Sequence, residues 1–103
     1  MQEIKRIQKM EMALDEVATA HNALAAALTE FSAKQEQLAE LSSYYGSQDY
    51  HHDLAMDENG QLPSDLKRGV LSQDTVYDLI TDLRSLADEM HRVADGIIDN
   101  LSK

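Results

Sequence analysis

Apolar side chains recur through the first part of the chain in alternating steps of three and four: Ile7, Met10, Leu14, Val17, Leu24, Leu28, Phe31 and Leu38, with Tyr45 closing the series. Polar residues interrupt the series at His21, Gln35 and Ser42. Such spacing aligns the side chains along one face of an α-helix and matches the a and d positions of a heptad repeat, the three polar residues all falling at a. No Pro or Gly precedes Gly46, so the pattern predicts one long helix over residues 1–45, about 66 Å at 1.5 Å per residue. Gly46 is its natural stop, because glycine enters the left-handed cap conformation without strain. A polar residue at an a position fixes register or partner number, and His21 is expected there as a buried, hydrogen-bonded side chain.

The flanks of this seam are small and apolar rather than charged. Ala13, Ala20 and Ala27 lie on one side, and Ile4, Ala18, Ala25 and Ala39 on the other. A face this wide suits packing against more than one neighbouring helix better than an isolated two-stranded coil.

A second amphipathic helix is predicted over residues 72–102. Val76, Ile80, Leu83, Ala87, Met90, Ala94, Ile97 and Leu101 again recur at steps of four and three, and Leu79, Leu86, Val93 and Ile98 widen the stripe. Ser72 has the chemistry of an N-cap, Asp74 complements the positive end of the helix dipole, and Leu71 and Val76 are spaced as a hydrophobic staple. At about 29 residues this helix is roughly 44 Å long and covers two-thirds of the first. The expected architecture is therefore all-α, a long antiparallel helical hairpin with coiled-coil-like packing. The uncovered third requires either the connector or a second subunit, and a homo-oligomer, most simply a dimer, is expected to complete the bundle.

Residues 46–71 break the periodicity and shift toward Asp, Gly and His. Ser47 is placed to cap a short helix running to about Asp57, Asn59-Gly60 reads as a turn, and Pro63 to Arg68 as one helical turn closed by Gly69. A connector of this length without internal structure would be unusual, so it is expected to be folded.

Composition narrows the function classes. Only one Pro and four Gly occur in 103 residues, and 43% of the chain is hydrophobic with few aromatics, which favours helix over sheet. There is no cysteine, hence no disulfide, no thiolate ligand and no thiol nucleophile. The formal net charge of −10 is spread over the whole chain, which argues against direct nucleic-acid binding, since that requires Lys and Arg gathered on one face. No stretch is apolar enough for a secretory signal or a membrane span, and the expected location is the cytoplasm.

Candidate chemistry is confined to the connector. His51, His52, Asp53, Asp57 and Glu58 form the one dense set of possible ligands, with His52, Asp53 and Asp57 the candidates for a divalent cation. The spacing fits neither an HExxH zinc site nor an EF-hand, because aligning Gly60 with the loop glycine leaves Ala55 and Leu66 where carboxylates are needed. No GxSxG elbow or phosphate loop is present, so an enzyme is not expected and no cofactor is implied. Tyr44, Tyr45, Tyr50 and Tyr77 are four of the five aromatics. They read as a small core tying the connector to the helix ends, or as an interaction surface, tyrosine being enriched at binding hot spots. His91 reads as an exposed residue paired with Asp88 and Asp95.

The string Tyr44-Tyr45-Gly46-Ser47, Asp53, Asp57-Glu58-Asn59-Gly60, Leu62-Pro63 and Lys67-Arg68-Gly69-Val70-Leu71-Ser72, followed by Asp74 and Tyr77, resembles the domain-of-unknown-function family numbered 4298. The opening Arg6-Ile7-Gln8-Lys9-Met10-Glu11 fits the same family. Tyr50 stands where that family often carries tryptophan. The resemblance implies a small bacterial cytoplasmic protein of unassigned activity and supplies no catalytic residues. The functional expectation is a scaffold, adaptor or regulator acting through helical surfaces, with Ile7, Met10, Leu14, Val17, Leu24, Leu28, Phe31, Tyr44, Tyr45 and Tyr50 as the interaction residues. The alternatives are an acidic inhibitor or immunity factor that blocks a basic nucleic-acid-binding protein, and a metal-dependent enzyme built on residues 51–58.

Overall fold

A computed structural model describes residues 1–102. The elements run in the order α1 (Gln2–Ser32), α2 (Gln35–Tyr44), α3 (Gln48–Glu58), a 3₁₀ turn (Gly69–Leu71) and α4 (Gln73–Leu101), with no strand among the described residues. The all-α expectation is met. The chain falls into two compact units, Met1–Glu40 and the part beginning at Leu41.

In the first unit the expected single helix is interrupted at Ala33 and Lys34. The Lys34 amide donates to the Phe31 carbonyl at 2.8 Å, a tighter i to i−3 closure, and the regular ladder resumes where the Leu38 amide reaches the Lys34 carbonyl at 3.0 Å. No Pro or Gly forces the break. The apolar spacing does not encode this break, and no side chain beside it accounts for it. No residue of α1 or α2 is buried. Along α1 the seven stripe residues from Ile7 to Phe31 are exposed by between 40% (Phe31) and 67% (Val17). His21, expected inside a core, is exposed as well, and its Nδ1 lies 3.1 Å from Asn22 Oδ1.

The second unit contains the buried residues. α2 ends at Tyr44, and Gly46 takes φ +82°, the left-handed value its position required. Ser47 then caps α3 as expected. Its hydroxyl donates to the Tyr44 carbonyl at 2.6 Å and accepts from the Tyr50 amide at 3.1 Å, fastening the end of one helix to the start of the next. At the far end, Gly60 at φ +69° allows paired closing bonds, Gly60 amide to Asp57 carbonyl at 3.1 Å and Gln61 amide to Met56 carbonyl at 2.9 Å. That is the Schellman arrangement.

The stretch after Pro63 differs from expectation. A single turn closes from the Leu66 amide to the Pro63 carbonyl at 3.2 Å and goes no further, while Gly69 opens the 3₁₀ turn instead of ending a helix. Ser72 occupies the N-cap position of α4 with extended backbone, but its hydroxyl makes no capping bond. The staple carries the junction: Leu71 and Val76 on either side of the cap are both buried, at 7% and 3% exposure. Burying side chains of this size stabilises by about 1.5–3 kcal/mol each. Beyond Leu79 the apolar side of α4 is half-buried at Ile80, Leu83 and Ala87 and exposed at Leu86, Met90, Val93 and Ile97. No described helix is long and apolar enough to cross a membrane.

Candidate functional site

Tyr50 is the hinge of the connector. It sits in the first turn of α3, is 5% exposed, and receives three rings at their edges. Tyr44 approaches to 5.6 Å between centroids at 86°, Tyr45 to 5.3 Å at 63°, and His51 to 5.5 Å at 70°. These near-perpendicular pairs set the positive edge of one ring against the negative face of another, adding about 0.5–1.5 kcal/mol each beyond area burial. Ser47 and Gly46 make the cluster possible, because the tight turn between α2 and α3 returns the chain within six residues.

Polar groups surround the aromatic centre. The Tyr44 hydroxyl donates to Asp53 Oδ2 at 2.7 Å, and that bond, with partial burial and the negative charges of Asp53 and Asp49, pushes the Tyr44 phenol up to about 12. A phenol held protonated in this way is a poor proton acceptor near neutral pH. The Tyr45 hydroxyl reaches the Gln73 carbonyl at 3.5 Å, the long limit of a hydrogen bond. Arg68 Nη1 meets Asp57 Oδ1 at 2.8 Å, tying the end of α3 to the approach to the 3₁₀ turn.

These contacts bear on the candidate metal ligands. Asp53 faces Tyr44, Asp57 faces Arg68, and His52 is exposed. Among the described residues no three His, Asp or Glu side chains are grouped so as to hold a metal ion. Of the tyrosines, three gather as expected, while Tyr77 stands apart at 59% exposure. His51 joins the cluster and Arg68 pairs with Asp57, contacts that sequence reasoning gave neither residue. His51 carried only its adjacency to Tyr50, and Arg68 lies eleven residues from Asp57 across an irregular segment that no period describes. In the same unit an open apolar depression of about 350 Å³ is lined by Leu41, Gly69, Val70, Val76 and Leu79, with Thr75 and Lys67 as its polar side chains.

Each unit also carries an exposed apolar surface of its own, the stripe of α1 in the first and the exposed side of α4 in the second. The family model described as "Domain of unknown function (DUF4298)" matches residues 7–93. The chain belongs to the DUF4298 family. The match spans the DUF4298 stripe from Ile7, the tyrosine cluster, the Asp57–Arg68 pair and α4 as far as Val93. No curated protein and no solved structure matches the chain.

Proposed function

We propose that this DUF4298 chain is an interaction protein, a scaffold or regulator, that works by packing its helices against other helices and assembles with copies of itself. The carrying observation is α1, thirty-one residues with a heptad-spaced apolar stripe and no buried side chain. Helices in proteins gain most of their stability from packing an amphipathic face rather than from propensity. The stripe is therefore the surface that a partner covers. In the full assembly α4 lies antiparallel to α1 along the flank of Ile4, Ala18 and Ala25, coiled-coil fashion, which leaves the stripe to the second copy, and two such hairpins complete a bundle.

A non-catalytic role in the cytoplasm accompanies this reading. It is supported by the engagement of Asp53 with Tyr44 and of Asp57 with Arg68, which leaves neither carboxylate as a ready acid, base or ligand. Light scattering on a sizing column tests the proposal: the expected mass is a multiple of 11.5 kDa across micromolar concentrations. A single-chain mass throughout, with a cooperative melt, overturns it.

A further inference from the structure

Building on the proposed self-association, we infer that two copies pair through α1 in antiparallel direction, with residue 19 of each at the two-fold axis. The first support is charge. The opening turns of α1 carry Lys5, Arg6 and Lys9 against Glu3, whereas the rest of the helix carries Glu11, Asp15, Glu16 and Glu30 and no Lys or Arg. Parallel copies would set the basic ends together, the acidic segments together and the helix dipoles in the same sense. Antiparallel copies bring the basic turns of one level with Glu30 of the other.

Register is the second support. Aligning Ile7 with the second copy's Phe31 makes successive layers of Met10 on Leu28, Leu14 on Leu24 and Val17 on His21, so every apolar stripe residue except Val17 meets an apolar one. This register keeps the whole seam inside α1 and ends it just before the break at Ala33 and Lys34. Sliding one heptad further would place Gln35, beyond the break, on Met10. On the flanks Ala13 comes beside Ala27, and Ala20 beside its own copy, which permits close approach of the two backbones. The seven exposed stripe residues together present on the order of 600 Å² per copy, enough with the alanine flanks for the 1,200–2,000 Å² of a standard stable interface.

The absence of native cysteine allows a single introduced thiol to report without background. Gln2→Cys and Thr19→Cys each place a spin label away from the seam, and pulsed dipolar spectroscopy on the full chain reads the distance between copies. The expected result is about 50 Å for Gln2→Cys, from 1.5 Å per residue over the separation of the two ends, and below about 30 Å for Thr19→Cys. Short distances at both positions in a dimer establish parallel pairing and overturn this inference while leaving the oligomer standing. A dimer with a long Thr19→Cys distance overturns it too, because pairing then lies elsewhere. A monomeric mass by light scattering removes the self-association on which it rests.

Discussion

Residues 2–32 and residues 44–76 both carry apolar and aromatic side chains, but they use them in opposite ways. In α1 the apolar residues follow one helical period for four turns and more, and not one becomes buried. Residues 44–76 share no single period, yet Tyr50, Leu71 and Val76 are buried and Tyr44, Ser47 and Arg68 make side-chain hydrogen bonds within the same stretch. A straight helix cannot fold back on its own stripe, so regular spacing over a long element creates a surface. Turns at Gly46 and Gly60 let a short irregular segment fold back and create a core. The contrast places an exposed apolar surface on α1 and local order in the connector, and the proposed self-association rests on the first.

The most severe challenge to that division is Leu14→Asp with Leu24→Asp. Truncating a buried leucine costs about 2–5 kcal/mol, so two charges in the seam are expected to weaken self-association by at least about a thousandfold. Light scattering should show single chains, and far-ultraviolet dichroism a loss of helix from α1. An unchanged mass would mean that the stripe is not the contact.

Much of this division is legible in the residues. The all-α class, the extent of α4, the Ser47 cap, the Gly46 stop and the Leu71–Val76 staple all follow from local chemistry that acts within a few positions. What escaped is set by competition or by distance. The break at Ala33 and Lys34 reflects a close balance between two hydrogen-bond patterns, and the unbonded Ser72 hydroxyl shows that a capping residue can hold its position without its bond. The heptad position of His21 predicts a buried side chain, yet periodicity specifies only which side chains share a face, and this one is exposed. In the candidate site the tyrosine grouping was legible, since three aromatics within seven residues flank a glycine. The Arg68–Asp57 pair was not, because the path of the irregular chain decides it.

The next largest effect tests the other half of the comparison. Tyr50→Ala is expected to destabilise the unit from Leu41 onward by about 3–5 kcal/mol, the cost of deleting a buried aromatic. Tyr50→Phe, which keeps the ring and its edge contacts, should cost less than about 1.5 kcal/mol. Urea unfolding measures both, and hydrogen exchange should show lost protection in α3 and at residues 69–76 with the dimer mass unchanged. Dissociation by Tyr50→Ala would show that the two regions do not divide their roles.

A smaller effect separates hydrogen bonding from packing within the cluster. Tyr44→Phe removes the bond to Asp53 and is expected to cost about 0.5–1.5 kcal/mol, the net contribution of a hydrogen bond whose partners are only partly buried. The pH dependence has a definite sign. Since the folded-state value of Tyr44 is raised from 10.0 to about 12, its contribution is fully present below pH 10 and is lost as pH rises through 12. Absorbance at 295 nm should show a tyrosinate step near pH 12, and Asp53→Asn should bring that step back toward 10. A titration that Asp53→Asn leaves unchanged would contradict the hydrogen bond.

The smallest expected effect concerns the Asp57–Arg68 pair, whose side chains keep 29% and 34% exposure. Water reaches both partners, so screening and side-chain entropy limit the coupling to about 0.2–1 kcal/mol. A double-mutant cycle of Asp57→Asn and Arg68→Gln should return a coupling in that range, shrinking between low and high salt as the Debye length falls from about 10 Å at 0.1 M to 3 Å at 1 M. A salt-insensitive coupling above about 2 kcal/mol would mean that the pair is shielded from solvent by a partner. The connector would then share in association, and the separation between a surface made by α1 and a core made by residues 44–76 would have to be redrawn.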